Sequence, residues 1–279
     1  MKYEIYFKKY LPLVEKTLEK VLPPARQYPS QIHQAMRYAV FPAGKRFRPV
    51  LCLAACEAAG GKIANALLPA ASIELIHSCS LVHDDLPLLD NDDERRGKPS
   101  CHKRFGEAAA LLAGDALMAL AFQILAGANP PDRVSRLLAE ISTSAGSYGM
   151  IGGQMAELEE GTNLTLPKLD FISSHKTGKL IKACAVSGAI AARAPKQIEQ
   201  RVTRYGEAIG LAFQFIDDLI DGDGYLNLMN VEEAKARVRD LMAHAKRAIH
   251  PLGAKAEKLH KLADFLLERM PENIHAQVD

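Results

Sequence analysis

The chain has 279 residues, of which 48% are hydrophobic and 24% are charged, and its formal net charge is +2. This balance, without a long basic block, argues against a nucleic-acid partner. Alanine and leucine dominate, tryptophan is absent and alternating β-branched runs are scarce, so the composition predicts an all-α protein.

Cysteine usage and the N-terminal residues bear on the cellular compartment. The five cysteines are odd in number and lie in apolar or helical surroundings, which is typical of reduced thiols: Cys52, Cys56, Cys79, Cys101 and Cys184. The N-terminus lacks the apolar core of a signal peptide, and we find no apolar stretch of 18 residues. We therefore expect a cytoplasmic protein without an integral membrane segment.

Helices are predicted along the whole chain, and several are apolar on nearly every face. In chain order they cover residues 2–22, a segment from about 30, the apolar run 50–59, then 65–86, 106–126, 132–159 with an interruption at 152–153, 167–194, 195–221, 231–249 and 253–269. Helices without a polar face occur in the middle of large bundles. With no repeat or linker in view, we expect one domain of ten or more helices over residues 1–279.

The first acidic cluster follows the predicted helix 65–86. Five aspartates lie within ten residues and two arginines come directly after them: Asp84, Asp85, Asp90, Asp92, Asp93, then Arg95 and Arg96. So much like charge at the end of an apolar helix needs a cation. Carboxylates without a thiolate or histidine cage suit Mg2+, and the arginines suit a phosphate group. Taken alone, the cluster would be interpreted as a solvated acidic loop, and it is the second cluster that favours a metal site.

A second acidic cluster ends the predicted helix 195–221. Asp217 and Asp221 are four residues apart, so their carboxylates project from one helical face. Alone, this pattern fits a solvated helix end equally well. Facing the first cluster across a bundle, it would hold several Mg2+ ions and, with them, a diphosphate.

Cationic residues stand near glycines at predicted loops and helix ends. They are Lys45, Arg46, Arg48, Arg95, Arg96, Lys98 and Lys176, and for Arg46 and Lys98 we expect ordinary surface charges. A substrate with two diphosphates needs two cationic docks. The residues between them are apolar, so the remainder of the substrate should be hydrocarbon.

Together these motifs resemble one enzyme family. His83-Asp-Asp85 with Asp90 and Arg95-Arg-Gly-Lys-Pro99, then Gly114-Asp115, then Phe213-Gln with Asp217 and Asp221, are similar to the trans-isoprenyl diphosphate synthases. The four-residue spacer 86–89 resembles the bacterial short-chain farnesyl type and the plant-like geranylgeranyl type. The resemblance implies a single polyprenyl synthetase domain with the isoprenoid synthase fold, a deep central cavity, three Mg2+ ions and a homodimer.

The resemblance also implies residue roles. Mg2+ would be held by Asp84, Asp85, Asp90, Asp217 and Asp221; the allylic diphosphate by Arg95 and Lys176; isopentenyl diphosphate by Lys45, Arg48, His77 and Arg96. Thr177, Gln214 and the Lys176 carbonyl would face an allylic cation. Asp92 and Asp93 receive no role, and His83 is expected to be structural.

The expected reaction is ionisation, condensation and elimination. Metal and cationic charge would stabilise the pyrophosphate leaving group, and the isopentenyl double bond would attack the resulting cation. No side-chain base is evident, so the proton would go to pyrophosphate. Cys79 and Ser80, about a turn before Asp84, should set chain length, although Met118 or Phe122 could block the tail deeper down. We expect fifteen carbons, with twenty as the alternative.

The chain departs from the family pattern at two places. Glu157 replaces the aspartate of the family's Gly-Gln-x-x-Asp motif. After Asp221 the family has a lysine-bearing mobile loop, whereas here Gly222-Asp-Gly224 leads directly to Tyr225. Either the protein lacks the loop or the 279 residues omit it. We favour omission, because an enzyme without the loop would expose the cation to water.

Three other functions are compatible with parts of the sequence. A class I terpene cyclase would share the aspartate-rich sites but would not need Lys45, Arg48 and Arg96. A non-catalytic partner subunit is suggested by Cys52-x3-Cys56, which more simply places two small residues on one core-facing helix face. A metal phosphohydrolase is suggested by His83-Asp84 but would need further histidine ligands.

Overall fold

The protein is all-α, as predicted, in a computed structural model that describes residues 3, 7–41 and 44–271. The first helices are α1 (Leu11–Val21), α2 (Ser30–Val40), α3 (Phe47–Ala58), α4 (Ile63–Asp84), α5 (Cys101–Phe105) and α6 (Glu107–Leu125). A short antiparallel hairpin, β1 (Glu94–Arg95) and β2 (Lys98–Pro99), lies between α4 and α5. Parts of the predicted helix 2–22 lie outside the described residues.

The second half of the chain is also helical. It contains α7 (Val134–Ala145), α8 (Met150–Glu160), α9 (Leu166–Ile172), α10 (Lys179–Ala191), α11 (Lys196–Asp221), α12 (Val231–Ile249) and α13 (Glu257–Arg269). A π-helical turn, Ser173–Gly178, joins α9 to α10. Short 3-10 turns cover Pro131–Arg133, Gly224–Asn227 and His250–Ala256.

Helices α3, α4 and α10 form the centre of the bundle. Helix α4 packs against α6, α3 and α10, and α10 packs against α3 and α11. Every residue of α10 is buried except Lys179 and Lys182, because its sequence is made of small and aliphatic side chains. The remaining helices surround this centre, which confirms the predicted large bundle.

Two predicted helix boundaries were wrong. The helix that carries the first acidic cluster ends at Asp84, because the chain then turns tightly and the Asp90 N–H donates to the Asp84 carbonyl (2.9 Å). The predicted helix 132–159 is broken at residues 146–149, not at 152–153. A Cβ on Gly149 would lie 2.1 Å from the Ser144 carbonyl oxygen, so only glycine permits the break.

The connection after α11 is short. Gly222 adopts a left-handed conformation (φ 80°) and donates to the Asp218 carbonyl, which ends the helix. Only Asp223 separates Gly222 from the 3-10 turn Gly224–Asn227. The interpretation that residues of a mobile loop are omitted here stays a prediction.

The statement that no apolar stretch reaches 18 residues was wrong. Within the described residues, α4 and α6 are both long and apolar enough to cross a membrane by length and composition. Of the apolar 18-residue segment in α4, 67% is buried inside the bundle, as expected for a core helix. In the corresponding segment of α6 only 39% is buried. Core helices of soluble proteins pass the same test, so the expectation of no membrane segment stays a prediction.

The predicted thiol state is confirmed for these residues. All five cysteines are free and buried. Cys52 and Cys56 lie in the core on α3, where Cys56 Sγ donates to the Lys62 carbonyl (3.4 Å). This placement agrees with the simpler interpretation of the Cys-x3-Cys spacing.

Helix α10 crosses α3 at a glycine, and this contact gives a stability test. A Cβ on Gly188 would lie 2.3 Å from the Cys52 carbonyl oxygen, which is backbone and cannot move aside. Gly188→Ala should therefore lower the free energy of unfolding by about 1–3 kcal/mol. At Gly127 the nearest atoms would be 3.6 Å away, so Gly127→Ala is the matched control. Thermal unfolding measures the difference. Equal melting temperatures for the wild type and both variants would contradict this packing.

Candidate active site

A cavity of about 790 Å³ opens in the bundle and is the centre of the candidate site. Ten of the predicted site residues line it: Arg48, His77, Cys79, Ser80, Asp84, Arg95, Arg96, Lys176, Thr177 and Asp217. Its lining does not include Lys45, Asp85, Asp90, Gln214 or Asp221. The structure therefore brings the two acidic clusters to one cavity through one member each.

Helix α4 supplies one wall. His77 and Asp84 are seven residues apart, two helical turns, so both face the cavity. No hydrogen bond or ion pair between described residues reaches the Asp84 carboxylate. Burial therefore dominates its electrostatics and raises its pKa to about 6, although Lys176 acts in the opposite direction.

Asp85 is directed away from the predicted metal position. Its side chain is 3% exposed and accepts a hydrogen bond from Arg95 Nε (2.8 Å). Arg95 also pairs with Asp92 (2.5 Å). The structure thus pairs Asp85 with the arginine assigned to the allylic diphosphate, and it gives Asp92 a part in holding that arginine.

The rest of the first acidic cluster is peripheral. Asp90 is exposed, although its backbone N–H closes the turn after α4. Asp93 is also exposed and pairs with Lys103 (2.7 Å), which lowers its pKa. Asp93 therefore belongs to the surface.

Helix α11 supplies the opposite acidic group. Asp217 lines the cavity and accepts a hydrogen bond from Arg269 (2.9 Å) at the end of α13. Burial raises its pKa, while Arg269 acts to lower it. Asp221 is exposed at the helix end. Sequence reasoning missed Arg269, because nothing in the pattern of an amphipathic last helix marks it.

The neighbouring Asp218 has a structural position. It is buried, accepts hydrogen bonds from Gln214 Nε2 (2.7 Å) and the Tyr225 N–H (2.9 Å), and has a pKa raised to about 6 mainly by burial. Gln214 in turn accepts from Thr177 Oγ1 (2.9 Å). This chain of hydrogen bonds ties the end of α11 to the π-helical turn.

The π-helical turn positions Lys176 and Thr177. A Cβ on Gly153 would lie 2.2 Å from the Lys176 backbone nitrogen, and a Cβ on Gly210 would lie 2.8 Å from Gly178 Cα. Two glycines thus let α8 and α11 contact the backbone of the turn directly. Single π turns inside helices are frequent at functional sites. Gly153, predicted to interrupt a helix, instead permits this contact.

Glu157 contacts a predicted site residue. Lys176 Nζ pairs with Glu157 Oε2 (2.5 Å), and Gln154 Nε2 donates to the same oxygen (3.2 Å). The glutamate that departs from the family pattern therefore holds the lysine assigned to the allylic diphosphate. Its longer arm reaches the lysine from α8.

Cations gather at another part of the cavity. Arg48 Nη1 lies 3.4 Å from His77 Nε2, and in the described part of the chain the buried Arg48 Nε has no hydrogen-bond partner. Desolvation and the nearby arginines lower the pKa of His77 well below its usual range, so the imidazole is neutral. Arg96 lies against Gly44, where a Cβ would be 3.0 Å from its guanidinium. This arrangement of cations around a neutral imidazole is suited to an anion.

The prediction that Arg46 is a surface charge was wrong. Its side chain is 1% exposed and forms ion pairs with Glu15 (2.7 Å) and Glu74 (2.6 Å). The basic run 45–48 looked like one charged loop, but Arg46 has positive φ (51°), which turns its side chain inward. Lys98 is partly exposed beside Tyr38, in agreement with its prediction.

The rest of the cavity is apolar. Cys79 and Ser80 line it as predicted, and so does Met118, whereas Phe122 is absent from the lining. Helix α8 adds Ile151, Met155 and Leu158. His83 also lines the cavity and packs against Gly114, where a Cβ would lie 2.0 Å from the ring, which explains the glycine in the Gly-Asp motif.

Comparison with known proteins places the chain in a family. The sequence model of the polyprenyl synthetase family matches residues 29–243. A dimethylallyltranstransferase of Fischerella ambigua is 40% identical over 280 residues, covering 92% of this chain and 80% of the relative. A geranylgeranyl diphosphate synthase of Cyanophora paradoxa is 41% identical, covering 94% of this chain and 86% of the relative.

Solved structures agree with the sequence comparison. The crystal structure of an FPP/GFPP synthase from Zymomonas mobilis superposes with a TM-score of 0.90 at 36% identity, covering 95% of this chain and 99% of that one. The chain belongs to the polyprenyl synthetase family of trans-isoprenyl diphosphate synthases, and it is a short-chain prenyltransferase.

Proposed function

We propose that this enzyme condenses isopentenyl diphosphate with dimethylallyl and geranyl diphosphate to give farnesyl diphosphate. One observation carries the proposal: a single cavity collects carboxylates from α4, α6 and α11, cations from α3, the β-hairpin and the π-helical turn, and an apolar wall. A small dock for each of two diphosphates and a hydrocarbon space between them match these substrates.

The carboxylates fit Mg2+. Asp84 offers oxygen atoms that are engaged in no described hydrogen bond or ion pair, and Asp217 offers a second carboxylate across the cavity. No group of three histidine, cysteine or acidic side chains is close enough to form a metal site among the described residues. This suits Mg2+, which binds few carboxylates and completes its shell with water and substrate phosphates. We assign Asp84, Asp90, Asp217 and Asp221 to three ions, with Asp85 nearby.

Each cationic group has a task in the proposed reaction. Bound Mg2+ would supply charge that stabilises the leaving pyrophosphate. Arg95 and Lys176 bind the allylic diphosphate, for which Lys176 exchanges Glu157 for substrate oxygens. Lys45, Arg48, His77 and Arg96 hold isopentenyl diphosphate, and neutral His77 contributes a hydrogen bond without charge.

The π-helical turn stabilises the allylic cation. Because Gln214 Nε2 is committed to Asp218, its carbonyl oxygen points toward Thr177, and the Lys176 carbonyl belongs to the same π-helical turn. Oriented oxygens of this kind stabilise positive charge in a site from which water is excluded. The condensation product loses its proton to the departing pyrophosphate, because the sequence offers no evident side-chain base.

A homodimer is part of the proposal. On α6, Leu111 is 48% and Leu112 is 55% exposed, and on α8 Ile151, Met155 and Leu158, which also line the cavity, are each about half exposed. A second copy packed against these helices would cover this apolar surface. It would also account for a helix as apolar as α6 in the soluble, cytoplasmic protein that we propose.

Geranylgeranyl diphosphate is the alternative product. Small Cys79 and Ser80 line the cavity and leave room for a longer tail. The other functions considered have less support. A cyclase needs no second cationic dock, a purely structural subunit does not need the acidic pair Asp84 and Asp217, and a phosphohydrolase needs a ligand cluster that is missing from the described residues.

The product assay is the direct test of the proposal. The protein with Mg2+, isopentenyl diphosphate and five-, ten- or fifteen-carbon allylic starters should elongate the first two to fifteen carbons. Asp217→Asn should lose about 100-fold or more in kcat/KM, because charge stabilisation is lost. Chromatography of the products reports chain length. Extension of the fifteen-carbon starter would favour the alternative product, and no elongation at all would overturn the proposal.

Asp84 gives a stability test. Its pKa, raised to about 6, means that the metal-free fold loses stability as the pH rises from about 4 through 6. Without metal at pH 7, Asp84→Asn should be more stable than the wild type by up to about 3 kcal/mol, and this gain should vanish near pH 4. Mg2+ with pyrophosphate should then raise the melting temperature of the wild type and not that of Asp84→Asn. Asp93→Asn, at an exposed position without a role in the proposed metal site, is the control and should respond to Mg2+ with pyrophosphate as the wild type does.

Ser80 gives a chain-length test. A ring at this position, about a turn before Asp84, would fill the cavity beneath the allylic diphosphate. Ser80→Phe should therefore shift the main product from fifteen to ten carbons, while Ser80→Ala should keep fifteen. An unchanged product distribution in an active Ser80→Phe variant would show that the tail does not descend along α4.

A further inference from the structure

Arg46 lies between two residues assigned to isopentenyl diphosphate, yet it is directed away from the cavity. It precedes α3 and adopts a left-handed backbone conformation (φ 51°), which is uncommon for a residue other than glycine. Lys45 and Arg48 flank it in sequence. The strained conformation thus places one cation inside the fold and leaves its neighbours for the site.

The Arg46 guanidinium joins three parts of the bundle. Nε donates to Glu15 on α1 (2.7 Å), Nη1 donates to Glu74 on α4 (2.6 Å), and Nη2 donates to the Val40 carbonyl at the end of α2 (2.8 Å). Arg46 and Glu74 are 1% and 3% exposed. The planar fork of arginine can satisfy these acceptors together, and lysine cannot.

A contribution to folding stability does not by itself explain why the Arg46–Glu74 ion pair is buried. A buried ion pair is often no more stabilising than apolar residues of similar volume, because both charges must be desolvated. Glu74 is also the charged residue in an otherwise apolar stretch of α4, three residues before His77. It therefore stands on the His77 side of the helix, about one turn away.

The pair also organises the charge around the anion site. Glu74 acts electrostatically on Arg46, Arg48 and Arg96, but its close contact is with Arg46. Arg48 approaches His77 (3.4 Å), and its Nε has no described partner. Arg46 thus takes the carboxylate that would otherwise compete with a diphosphate for Arg48.

We propose that the Arg46–Glu74 pair is a positioning device for the isopentenyl diphosphate dock. It fixes the start of α3, with Lys45 and Arg48, against the segment of α4 that carries His77. Neither member touches substrate. The inference rests on the proposed function, because the dock is assigned to isopentenyl diphosphate there.

Variants with opposite charge changes separate positioning from a simple field effect. Arg46→Met removes a positive charge and Glu74→Gln removes a negative one. A field effect predicts weaker diphosphate binding in the first and tighter binding in the second. Positioning predicts that both raise KM for isopentenyl diphosphate roughly 10-fold to 100-fold, with KM for geranyl diphosphate changed less than about twofold.

Two further variants control for folding. Arg46→Lys keeps the charge and loses the fork, so positioning predicts the same selective rise in KM even if Arg46→Met fails to fold. Lys182→Met breaks a half-buried ion pair with Glu140 away from the cavity (3.0 Å, 21% and 20% exposed) and should leave KM for isopentenyl diphosphate unchanged.

Calorimetric binding of isopentenyl diphosphate below the melting temperature completes the experiment. Opposite shifts in Arg46→Met and Glu74→Gln, equal shifts for both substrates, or unchanged affinity in folded variants would each overturn the inference. A wild type that neither binds isopentenyl diphosphate nor elongates a starter would instead refute the proposed function, so the two failures are distinguishable.

Discussion

The structure depends on the cost of placing charge inside an apolar bundle. Helix α4 is buried along most of its length, yet it carries Glu74, His77 and Asp84 toward the interior. The protein treats the charge of each group differently. Glu74 has Arg46, His77 gives up its charge because burial and nearby arginines lower its pKa, and Asp84 is left with a raised pKa and no close partner. The uncompensated charges mark where ligands belong, since a desolvated charge without a partner is unstable.

Much of the fold could be predicted because its signals are local. Apolar runs without a polar face predicted central helices, and the structure places α3, α4 and α10 there. Helix ends were less certain, because they depend on backbone contacts between distant segments. The break between α7 and α8 is one such case, since the close approach of Gly149 to Ser144 is specific to the folded turn.

The sequence predicted which residues belong to the site more reliably than which of their side chains pair with each other. The two acidic clusters predicted that Asp84 and Asp217 share one site, and the family resemblance added His77. Neither could show that Asp85 faces Arg95 or that Asp217 meets Arg269. The prediction that Arg46 is a surface charge failed for the same reason, because a basic run does not reveal which side chain turns inward. The lone glutamate in the apolar sequence of α4 was the available signal, and it identifies Glu74 as the buried partner.

The backbone packing of the π-helical turn separates two properties of the enzyme. Gly153 and Gly210 bring neighbouring helices against the backbone of the turn, so the position of Lys176 and Thr177 depends little on the side chains that line the apolar wall. Cys79, Ser80 and Met118 lie on α4 and α6 instead. Substitution of these side chains can therefore resize the hydrocarbon space without moving Lys176 and Thr177. A fold built in this way can diversify its products while it preserves one chemistry.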